Sequence, residues 1–519
     1  MLPPAQSPIK PPWLPIRLAD CSQRDLLLAI TLVALAIRLY LVVTSFCIAA
    51  DGVAYIAMAR DFASGEPGKA LASVFSPLYP WLIAQAHRVV PDWELAGSLL
   101  SAVFGTATIP LLYLLIAEVL ERNDIALGAA ALAAIHPLMA EYSASVRTEA
   151  GFICLMVAAA YLFVVSLGSR RPATLVWAGL LGGVAYLYRT EAIGLLVVCL
   201  GFPLLGAIAW KKWTVSTAVG WALSFTLPFL LIASPYLIYL RVSTGHWTVG
   251  RELSAAMGFG MAEVVENKRS WQTSGLEGST SILAPLLASP RAYLSKVGYD
   301  LVMSLYAFPI ALGPLLSLFL IIGLWVRGRG IVSNWRESFL AVLVSFYFAG
   351  FVLSYTGTRF MFHLIPYTLG WVMIGLQACA ERAAHPRWPQ RWRMPQSIFA
   401  MLVAVTLLAS TLIPIGYDLR GLRYAGQAIA ARDSSAPGIV ARDVRVAFYA
   451  HGQFVELPAH PAPDLCGWLA KESAARYLVV SRREEQGLGD LHSLQCVNLL
   501  KRYPRSRGSY YDLFQIVRD

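Results

Sequence analysis

The chain has 519 residues, of which 57% are hydrophobic and only 14% are charged, and its mean hydropathy is +0.58. Roughly a quarter of the residues in a soluble globular protein are charged, so this composition excludes an ordinary soluble enzyme and indicates an integral membrane protein. The net charge of +11 is spread between apolar runs, which is the pattern of loops that face anionic lipid. It therefore argues against nucleic-acid binding.

A membrane-spanning helix needs about 20 mostly apolar residues, and eleven runs of the sequence meet that need. In chain order they are residues 26–48, 95–119, 124–141, 149–168, 173–188, 190–210, 214–240, 299–326, 337–356, 360–380 and 397–417. The predicted fold is an all-α polytopic membrane protein with about 11 transmembrane helices, formed by residues 1–417.

Basic residues divide the loops between these runs into two sets. The loops of one set carry most of them, namely Arg17, Arg24, Arg122, Arg170, Arg171, Lys211, Lys212, Arg327, Arg329, Arg336, Arg382, Arg387, Arg391 and Arg393. Short loops of the other set carry one arginine each. Because Lys and Arg accumulate in cytoplasmic loops, we expect the N-terminus in the cytoplasm and the C-terminus on the outer side.

The first outer loop, residues 49–93, is too polar to cross a bilayer. It begins with Asp51 and contains amphipathic segments at 53–62 and 78–89, which we expect to lie along the membrane surface. The following outer loops carry further acids and lone arginines: Arg147, Glu149, Arg189, Glu191 and Arg359. Ionisable residues gathered at one face indicate a site there, although each could instead mark a helix end.

Two further regions are polar. The outer loop 241–298 is long enough to be either functional or disordered. Residues 418–519 are predicted to form a small soluble α/β domain, with strands at 444–448, 476–480 and 513–517 and a helix at 464–473. Cys466 and Cys496 lie in this domain, where they either pair in an oxidising compartment or remain free.

An outer-face acid beside several arginines suits sugar transfer from a polyprenyl phosphate. One carboxylate can take the proton of the acceptor hydroxyl as it attacks the sugar. The leaving group is already an anionic phosphate and needs only positive charge, which arginine supplies with two donors. The lipid tail of such a donor explains a site at the membrane surface.

The motifs carry a family resemblance. They are Asp51-Gly-Val-Ala-Tyr55, Ser76-Pro77-Leu78-Tyr79-Pro80, Arg147-Thr148-Glu149, Tyr186-Leu187-Tyr188-Arg189-Thr190-Glu191, and Arg359-Phe360 followed by Pro366. In this order, over about the first 380 residues, the chain resembles the GT-C glycosyltransferases. It is most similar to glycosyltransferase family 39, with its protein mannosyltransferases, and to the lipid A aminoarabinose transferases. Two positions depart from the pattern: Gly52 follows Asp51 where an acid is frequent, and Ser76 stands where the aminoarabinose transferases carry lysine, the nearest lysine here being Lys69.

The resemblance implies roles for several residues. Asp51 matches the catalytic acid of the first outer loop, and Glu149 matches a second acidic position near donor or acceptor. Arg189, Glu191 and Arg359 match positions that line the same cavity, although Arg189 and Glu191 can also pair with each other across their turn.

Four other residues, Tyr55, Lys69, Arg147 and His363, are added as substrate contacts from their positions in these motifs and loops. A hydrogen-bonded core position is the alternative for His363.

We therefore expect a transferase that moves a hexosyl or pentosyl group, with inversion, from a polyprenyl-phosphate donor to a lipid, glycan or protein acceptor. Asp51 would be the general base, on the outer face of a bacterial inner membrane. No cofactor is expected; the alternative is a Mg²⁺ or Mn²⁺ ion held by Asp51 and Glu149. The rival functions are a transporter or flippase of lipid-linked sugars, which needs ionisable groups near the bilayer midplane, and a non-catalytic relative.

Overall fold

A computed structural model describes residues 22–251, 289–385, 394–458, 465–482, 491–504 and 509–517, together with 286, 287, 484 and 488. Most of the 241–298 loop therefore lies outside the described residues, as do Cys21, Arg17, Arg387, Arg391 and Arg393. Within the described residues, a helical membrane region is followed by a small sheet domain.

The helical region is built from elements of very different length. Its first half contains α1 (Gln23–Thr44), α2 (Ala50–Ala63), α3 (Pro67–Leu71), α4 (Leu78–His87), α5 (Trp93–Leu120), α6 (Asn123–Ile135), α7 (Pro137–Tyr142), α8 (Glu149–Ser169), α9 (Pro172–Tyr188), α10 (Ile193–Ala209) and α11 (Val215–Thr244). Its second half contains α12 (Pro290–Leu312), α13 (Pro314–Arg327), α14 (Gly330–Ser333), α15 (Trp335–Leu353), α16 (Thr358–Met361), α17 (Ile365–Ala383) and α18 (Gln396–Thr411).

The predicted membrane spans correspond to these helices. By length and composition, seven segments of the described chain can cross a membrane: α1, α5, α8, α10 with the turn before it, α11, α15, and α16 with α17. A bent pair, α12 and α13, adds an eighth, and α6, α9 and α18 are shorter apolar helices. Together these match the eleven predicted runs in position. The amphipathic segments of the first outer loop are confirmed as α2 and α4.

The run at 299–326 is not the single straight helix that the sequence predicts. The chain turns by 105° between α12 and α13. Gly313 at the bend has φ +90°, in the region that favours glycine, and Pro314 starts the next helix with its fixed φ. An unbroken apolar run conceals this bend, because only the Gly-Pro pair marks it.

The bent pair nevertheless extends from one end of α15 to the other. Lys296 Nζ donates to the Leu353 carbonyl oxygen (3.4 Å) at the end of α15. Arg327 Nε donates to Glu337 Oε1 (3.0 Å) at its beginning. Despite the bend, α12 and α13 together thus pass once along the helical bundle.

Basic loops that the sequence places on one side do meet at one end of the bundle. Arg336 Nη2 lies 3.2 Å from Glu118 Oε1 at the end of α5. The ammonium group of Lys212 lies 5.2 Å from the ring centre of Trp335. These contacts join the α5–α6, α10–α11 and α14–α15 connections, away from the end that carries Asp51.

The sheet domain has five strands among the described residues, in the order β2-β1-β3-β5-β4. They are β1 (Gly438–Ala441), β2 (Gln453–Glu456), β3 (Ala475–Ser481), β4 (Val497–Pro504) and β5 (Tyr510–Ile516). The pairs of β1 with β2 and β3 are parallel, and β5 runs antiparallel to β3 and β4. Helices α19 (Arg420–Arg432), α20 (Arg445–Tyr449) and α21 (Leu465–Lys471) accompany the sheet.

Predictions for this domain are partly confirmed. The strands at 476–480 and 513–517 and the helix at 464–473 are found as β3, β5 and α21. The strand predicted at 444–448 is wrong, because these residues form α20. A parallel strand pair needs a crossover connection, and α20 lies in the crossover from β1 to β2. Its alternating pattern arises because Val446, Ala447 and Tyr449 are buried on one face of a short helix.

The sheet domain contacts the segment that precedes α2. The Tyr449 hydroxyl accepts the N–H of Ile48 (2.7 Å) and donates to Glu94 Oε1 (3.1 Å). Arg423 Nη1, in α19, donates to the Phe46 carbonyl oxygen (3.4 Å). The C-terminal domain is thus attached to the connection that leads directly into Asp51.

Cys466 and Cys496 form a disulfide across 30 residues of sequence, which confirms the hypothesis that they pair. Closing a loop of that length stabilises a fold by roughly 3–4 kcal/mol, chiefly by restricting the unfolded chain. When the denatured protein is alkylated without reductant, we expect Cys47, Cys154, Cys199 and Cys379 to be labelled and both paired cysteines to be protected. Peptide mapping by mass spectrometry measures this, and labelling of Cys466 or Cys496 before reduction would contradict it.

Candidate active site

Asp51 stands at the start of a helix, where carboxylates are favoured. Helix α2 begins at Ala50, so Asp51 lies in its first turn rather than at the N-cap, which is Ala49. Its side chain is 30% exposed and forms an ion pair with Arg359 Nη1. Arg359 belongs to α16, 308 residues further along the chain. The pair joins the first polar loop to the connection between α15 and α17.

Glu149 occupies the first turn of α8, with Thr148 as its N-cap, and its side chain is completely buried. Its Oε1 accepts Nε–H of Arg359, and Arg189 Nη1 lies 3.6 Å from the same oxygen. A buried carboxylate is stable only when it is paired and hydrogen-bonded. Glu149 therefore holds two arginines from separate parts of the chain in fixed positions.

Arg189 and Glu191 continue this line of charges. Arg189 follows the last turn of α9 in an extended conformation and is also buried. Its Nη2 donates to Glu191 Oε1 (2.6 Å), and its Nη1 donates to Thr148 Oγ1 (3.0 Å). The pairing across this turn, which is the alternative to a substrate contact for these two residues, is thus present. It adds to the contact with Glu149, so one arginine bridges two acids.

These contacts form one linear cluster: Asp51, Arg359, Glu149, Arg189 and Glu191, hereafter the charged cluster. Within the described part of the chain, three of its buried atoms have no hydrogen-bond partner: Arg359 Nη2, Glu149 Oε2 and Glu191 Oε2. Unpartnered buried polar atoms are rare because they cost free energy. An arginine N–H and carboxylate oxygens left in this way can be satisfied by water or by the polar groups of a ligand.

The remaining predicted contacts lie at different distances from the charged cluster. Tyr55 is buried, with its hydroxyl 3.5 Å from Thr148 Oγ1, and so lies next to it. The guanidinium of Arg147 lies 4.5 Å from the ring centre of Tyr142. Its charge acts on Glu149, although no hydrogen bond or ion pair joins Arg147 to the cluster in the described part of the chain. Lys69 is not brought to the cluster, since its side chain is 69% exposed and pairs with Glu66 (2.9 Å).

His363 resembles the core histidine of the alternative interpretation. It is buried, its Nδ1 lies 3.0 Å from the Phe360 carbonyl oxygen, and its ring meets that of Phe152 edge-on (5.2 Å between centres). Phe152 is one helical turn after Glu149, so His363 packs beside the cluster rather than in its line of ion pairs.

Sequence reasoning missed three side chains that support the cluster. Thr148 accepts a hydrogen bond from Arg189, and the Tyr347 hydroxyl donates to the Glu191 carbonyl oxygen (2.8 Å). Tyr79, in the quoted Ser-Pro-Leu-Tyr-Pro motif, packs edge-on against Tyr55, which lies next to the cluster (5.5 Å between ring centres). Thr148 and Tyr79 lie inside recognised motifs and were available as signals. Tyr347 lies in an apolar span, where nothing in the sequence distinguishes it.

Comparison with known proteins gives matches of two kinds. Residues 73–239, about a third of the chain, match the family described as dolichyl-phosphate-mannose-protein mannosyltransferase. ArnT of Cupriavidus metallidurans, solved with bound undecaprenyl phosphate, is similar with a TM-score of 0.56 and 14% identity; the match covers 96% of this chain and 98% of ArnT. The apo oligosaccharyltransferase of Archaeoglobus fulgidus has a TM-score of 0.54 and 13% identity, over 89% of this chain and 70% of that protein.

The chain has the GT-C fold. At these identities the solved structures establish the fold alone, and that fold confirms the resemblance carried by the motifs. The comparison with curated protein sequences gives no match.

Asp51 and Glu149, the two acids that could hold a divalent cation, are not arranged to bind one. Among the described residues, no group of three or more His, Cys, Asp or Glu side chains could hold a metal ion. Asp51 and Glu149 are both bound by Arg359, so a guanidinium lies between the two carboxylates. The oligosaccharyltransferase of A. fulgidus has been solved with zinc and sulfate.

Glu149→Gln tests whether the buried acid organises the charged cluster. Removing one partner of a buried ion pair costs roughly 3–5 kcal/mol, because the arginines are left without their counter-charge. We therefore expect a clearly lower melting temperature in detergent. Glu66→Gln, which removes the acid of the exposed pair with Lys69, is the matched control and should leave the melting temperature unchanged. Equal stability of the two variants would contradict the role given to Glu149.

Proposed function

We propose that this protein is a glycosyltransferase that moves a sugar from a polyprenyl-phosphate donor to a lipid, glycan or protein acceptor. The observation that carries the proposal is an accessible carboxylate, Asp51, joined through Arg359 to the fully buried Glu149. The GT-C fold supports it, as does the match of residues 73–239 to a mannosyltransferase family. ArnT, with the same fold, binds undecaprenyl phosphate.

Exposure distinguishes the two acids of the cluster. Asp51 is 30% exposed, whereas Glu149 is 0% exposed and bound by two arginines. A general base must come within hydrogen-bond distance of the proton that it removes. Asp51 is therefore the base, and Glu149 is a positioning residue that acts through Arg359.

The reaction is a single displacement. The acceptor hydroxyl gives its proton to Asp51 while its oxygen forms a bond to the anomeric carbon. The bond from that carbon to the phosphate oxygen breaks, and the polyprenyl phosphate leaves with the electron pair. Attack opposite to the leaving group inverts the configuration of a hexosyl or pentosyl group. Positive charge is needed where the leaving phosphate develops its extra negative charge.

Arg359 is the residue placed to supply that charge. Its side chain is 27% exposed, its Nε is held by Glu149, and its Nη2 has no hydrogen-bond partner among the described residues. Arginine binds phosphate through such paired N–H groups. A phosphate bound there would compete with Asp51 for the guanidinium and leave the carboxylate free to act as base.

We place this reaction on the outer face of a bacterial inner membrane. Disulfides persist in oxidising compartments, so the Cys466–Cys496 pair favours the outer side for the sheet domain. That domain contacts Ile48, just before Asp51, which brings the charged cluster to the same side. This agrees with the distribution of basic residues, which assigns the N-terminus to the cytoplasm.

The position of the charges favours an enzyme over a transporter. Members of the charged cluster lie in the first turns of α2 and α8, just after α9 and before α17. These are helix ends, whereas transporters place their ionisable groups near the bilayer midplane, between broken helices.

Asp51→Asn tests the proposal in a transfer assay. Purified protein in detergent would receive radiolabelled polyprenyl-phosphate sugars together with native membrane extract as the source of acceptor. Loss of the general base should lower turnover by about 10²–10⁴-fold, while the melting temperature is retained. Asp61→Asn, the same substitution near the other end of α2, is the matched control and should keep wild-type turnover. Donor binding with no transfer to any acceptor would instead favour transport.

A further inference from the structure

A separate cavity lies in the sheet domain, outside the charged cluster. Its volume is about 160 Å³, and its polar lining consists of Arg442, Asp443, Arg445, Ser481, Glu484 and Tyr511. Leucines from α19 and the turn before it, with strand residues of the sheet, provide an apolar floor. No residue of the charged cluster is among these described lining residues.

The cavity lies where the direction of the sheet connections reverses. Strand β1 is parallel to both of its neighbours, with β2 on one side and β3 on the other. The chain leaves β1 towards β2 and then returns to β3 on the opposite side. In the lining, Ala441 is the last residue of β1, and Arg442, Asp443 and Arg445 follow that strand. Ser481 is the last residue of β3, and Glu484 follows it. In open α/β sheets, the crevice between two such diverging carboxyl ends is where ligands bind.

The cavity lining carries as many positive as negative side chains and is rich in hydrogen-bonding groups. Two arginines face two acids, and Arg445 Nε donates to Asp443 Oδ1 (2.7 Å). Glu484 Oε2 accepts the backbone N–H of Ser481 (2.6 Å). An isolated phosphate would meet two carboxylates here as well as the arginines. The hydroxyls on the edge of a neutral sugar ring can form hydrogen bonds with these charged side chains. The C–H groups on its face can pack against the apolar floor.

The size of the cavity suits a ligand of one ring. An apolar cavity of about 150 Å³ is large enough to take one benzene ring, and this cavity has about 160 Å³. One sugar ring is thus of the right size, whereas a lipid chain would have to lie outside the cavity.

One short helix connects this cavity to Asp51. Helix α20 starts at Arg445, in the lining, and ends at Tyr449, whose hydroxyl accepts the N–H of Ile48. Ile48 precedes Asp51 by three residues. A saccharide in the cavity would therefore lie on the domain face that is attached to the charged cluster.

We propose that this cavity binds one neutral sugar ring and holds the glycan part of the acceptor. The proposal of a saccharide site rests on the cavity alone. The proposal that the bound saccharide belongs to the acceptor rests on the proposed function.

Saturation-transfer difference NMR on the full-length protein in detergent tests the saccharide site. The probes are methyl glycosides of hexoses, N-acetylhexosamines and pentoses. At least one should bind the wild type, and Asp443→Asn should weaken its binding at least fivefold. Arg442→Gln, which changes an exposed lining residue and leaves the fold intact, should do the same.

Two variants serve as controls in this experiment. Asp433→Asn removes an acid whose pair with Arg476 (3.1 Å) lies elsewhere on the domain, and Asp51→Asn removes the general base. Both should bind the glycoside as the wild type does. The saccharide site is overturned if no glycoside binds, if binding is equal in wild type and both cavity variants, or if inorganic phosphate alone binds and Asp443→Asn strengthens it.

The transfer assay then tests the acceptor assignment. Arg442→Gln should raise the KM for the acceptor at least fivefold with kcat unchanged. An unchanged KM in a variant that has lost glycoside binding would overturn the acceptor assignment. If the glycoside still binds but neither the wild type nor any variant transfers sugar, the proposed function is overturned and the saccharide site is retained.

Discussion

The structure depends on the burial of one carboxylate. Glu149 is completely buried at the start of α8, and it is stable there only because Arg359 and Arg189 supply charge and hydrogen bonds. Those two arginines come from the α9–α10 turn and the α15–α17 connection, so one acid joins three separate parts of the bundle. The outer arm of Arg359 then reaches Asp51. The buried ion pair of Glu149 thereby positions a partly exposed guanidinium beside a partly exposed carboxylate, which is the arrangement on which the proposed transfer rests.

The C-terminal domain gives a second constraint on Asp51. The Tyr449 hydroxyl accepts the N–H of Ile48, and Arg423 donates to the Phe46 carbonyl oxygen, so the domain holds the connection that leads into α2. Asp51 is thus paired with Arg359 of the bundle and follows a segment that the sheet domain holds. The first polar loop is accordingly helical and buried in part. The cavity between β1 and β3 is joined by one short helix, α20, to the segment that leads into Asp51.

The sequence predicted the components of the charged cluster but, apart from the Arg189–Glu191 pair, not its connections. Asp51, Glu149, Arg189, Glu191 and Arg359 could be named because each follows or precedes an apolar run on one predicted side. Periodicity within a helix is a local signal, whereas the Asp51–Arg359 pair spans 308 residues and depends on how the helices pack. The same limit explains the error at 444–448, where a crossover between parallel strands overrides the pattern of the side chains. The bend at Gly313 has a local cause, but an otherwise unbroken apolar run conceals it.

The most direct test of this account is the binding of unglycosylated polyprenyl phosphate to three proteins: the wild type, Arg359→Gln and Asp51→Asn. Arg359 is proposed to exchange Asp51 for the phosphate while Glu149 holds it in place. The account predicts that Arg359→Gln weakens binding at least tenfold, whereas Asp51→Asn tightens it, because the competing and repelling carboxylate is gone. Binding that is unchanged in Arg359→Gln, or weakened in Asp51→Asn, would contradict it.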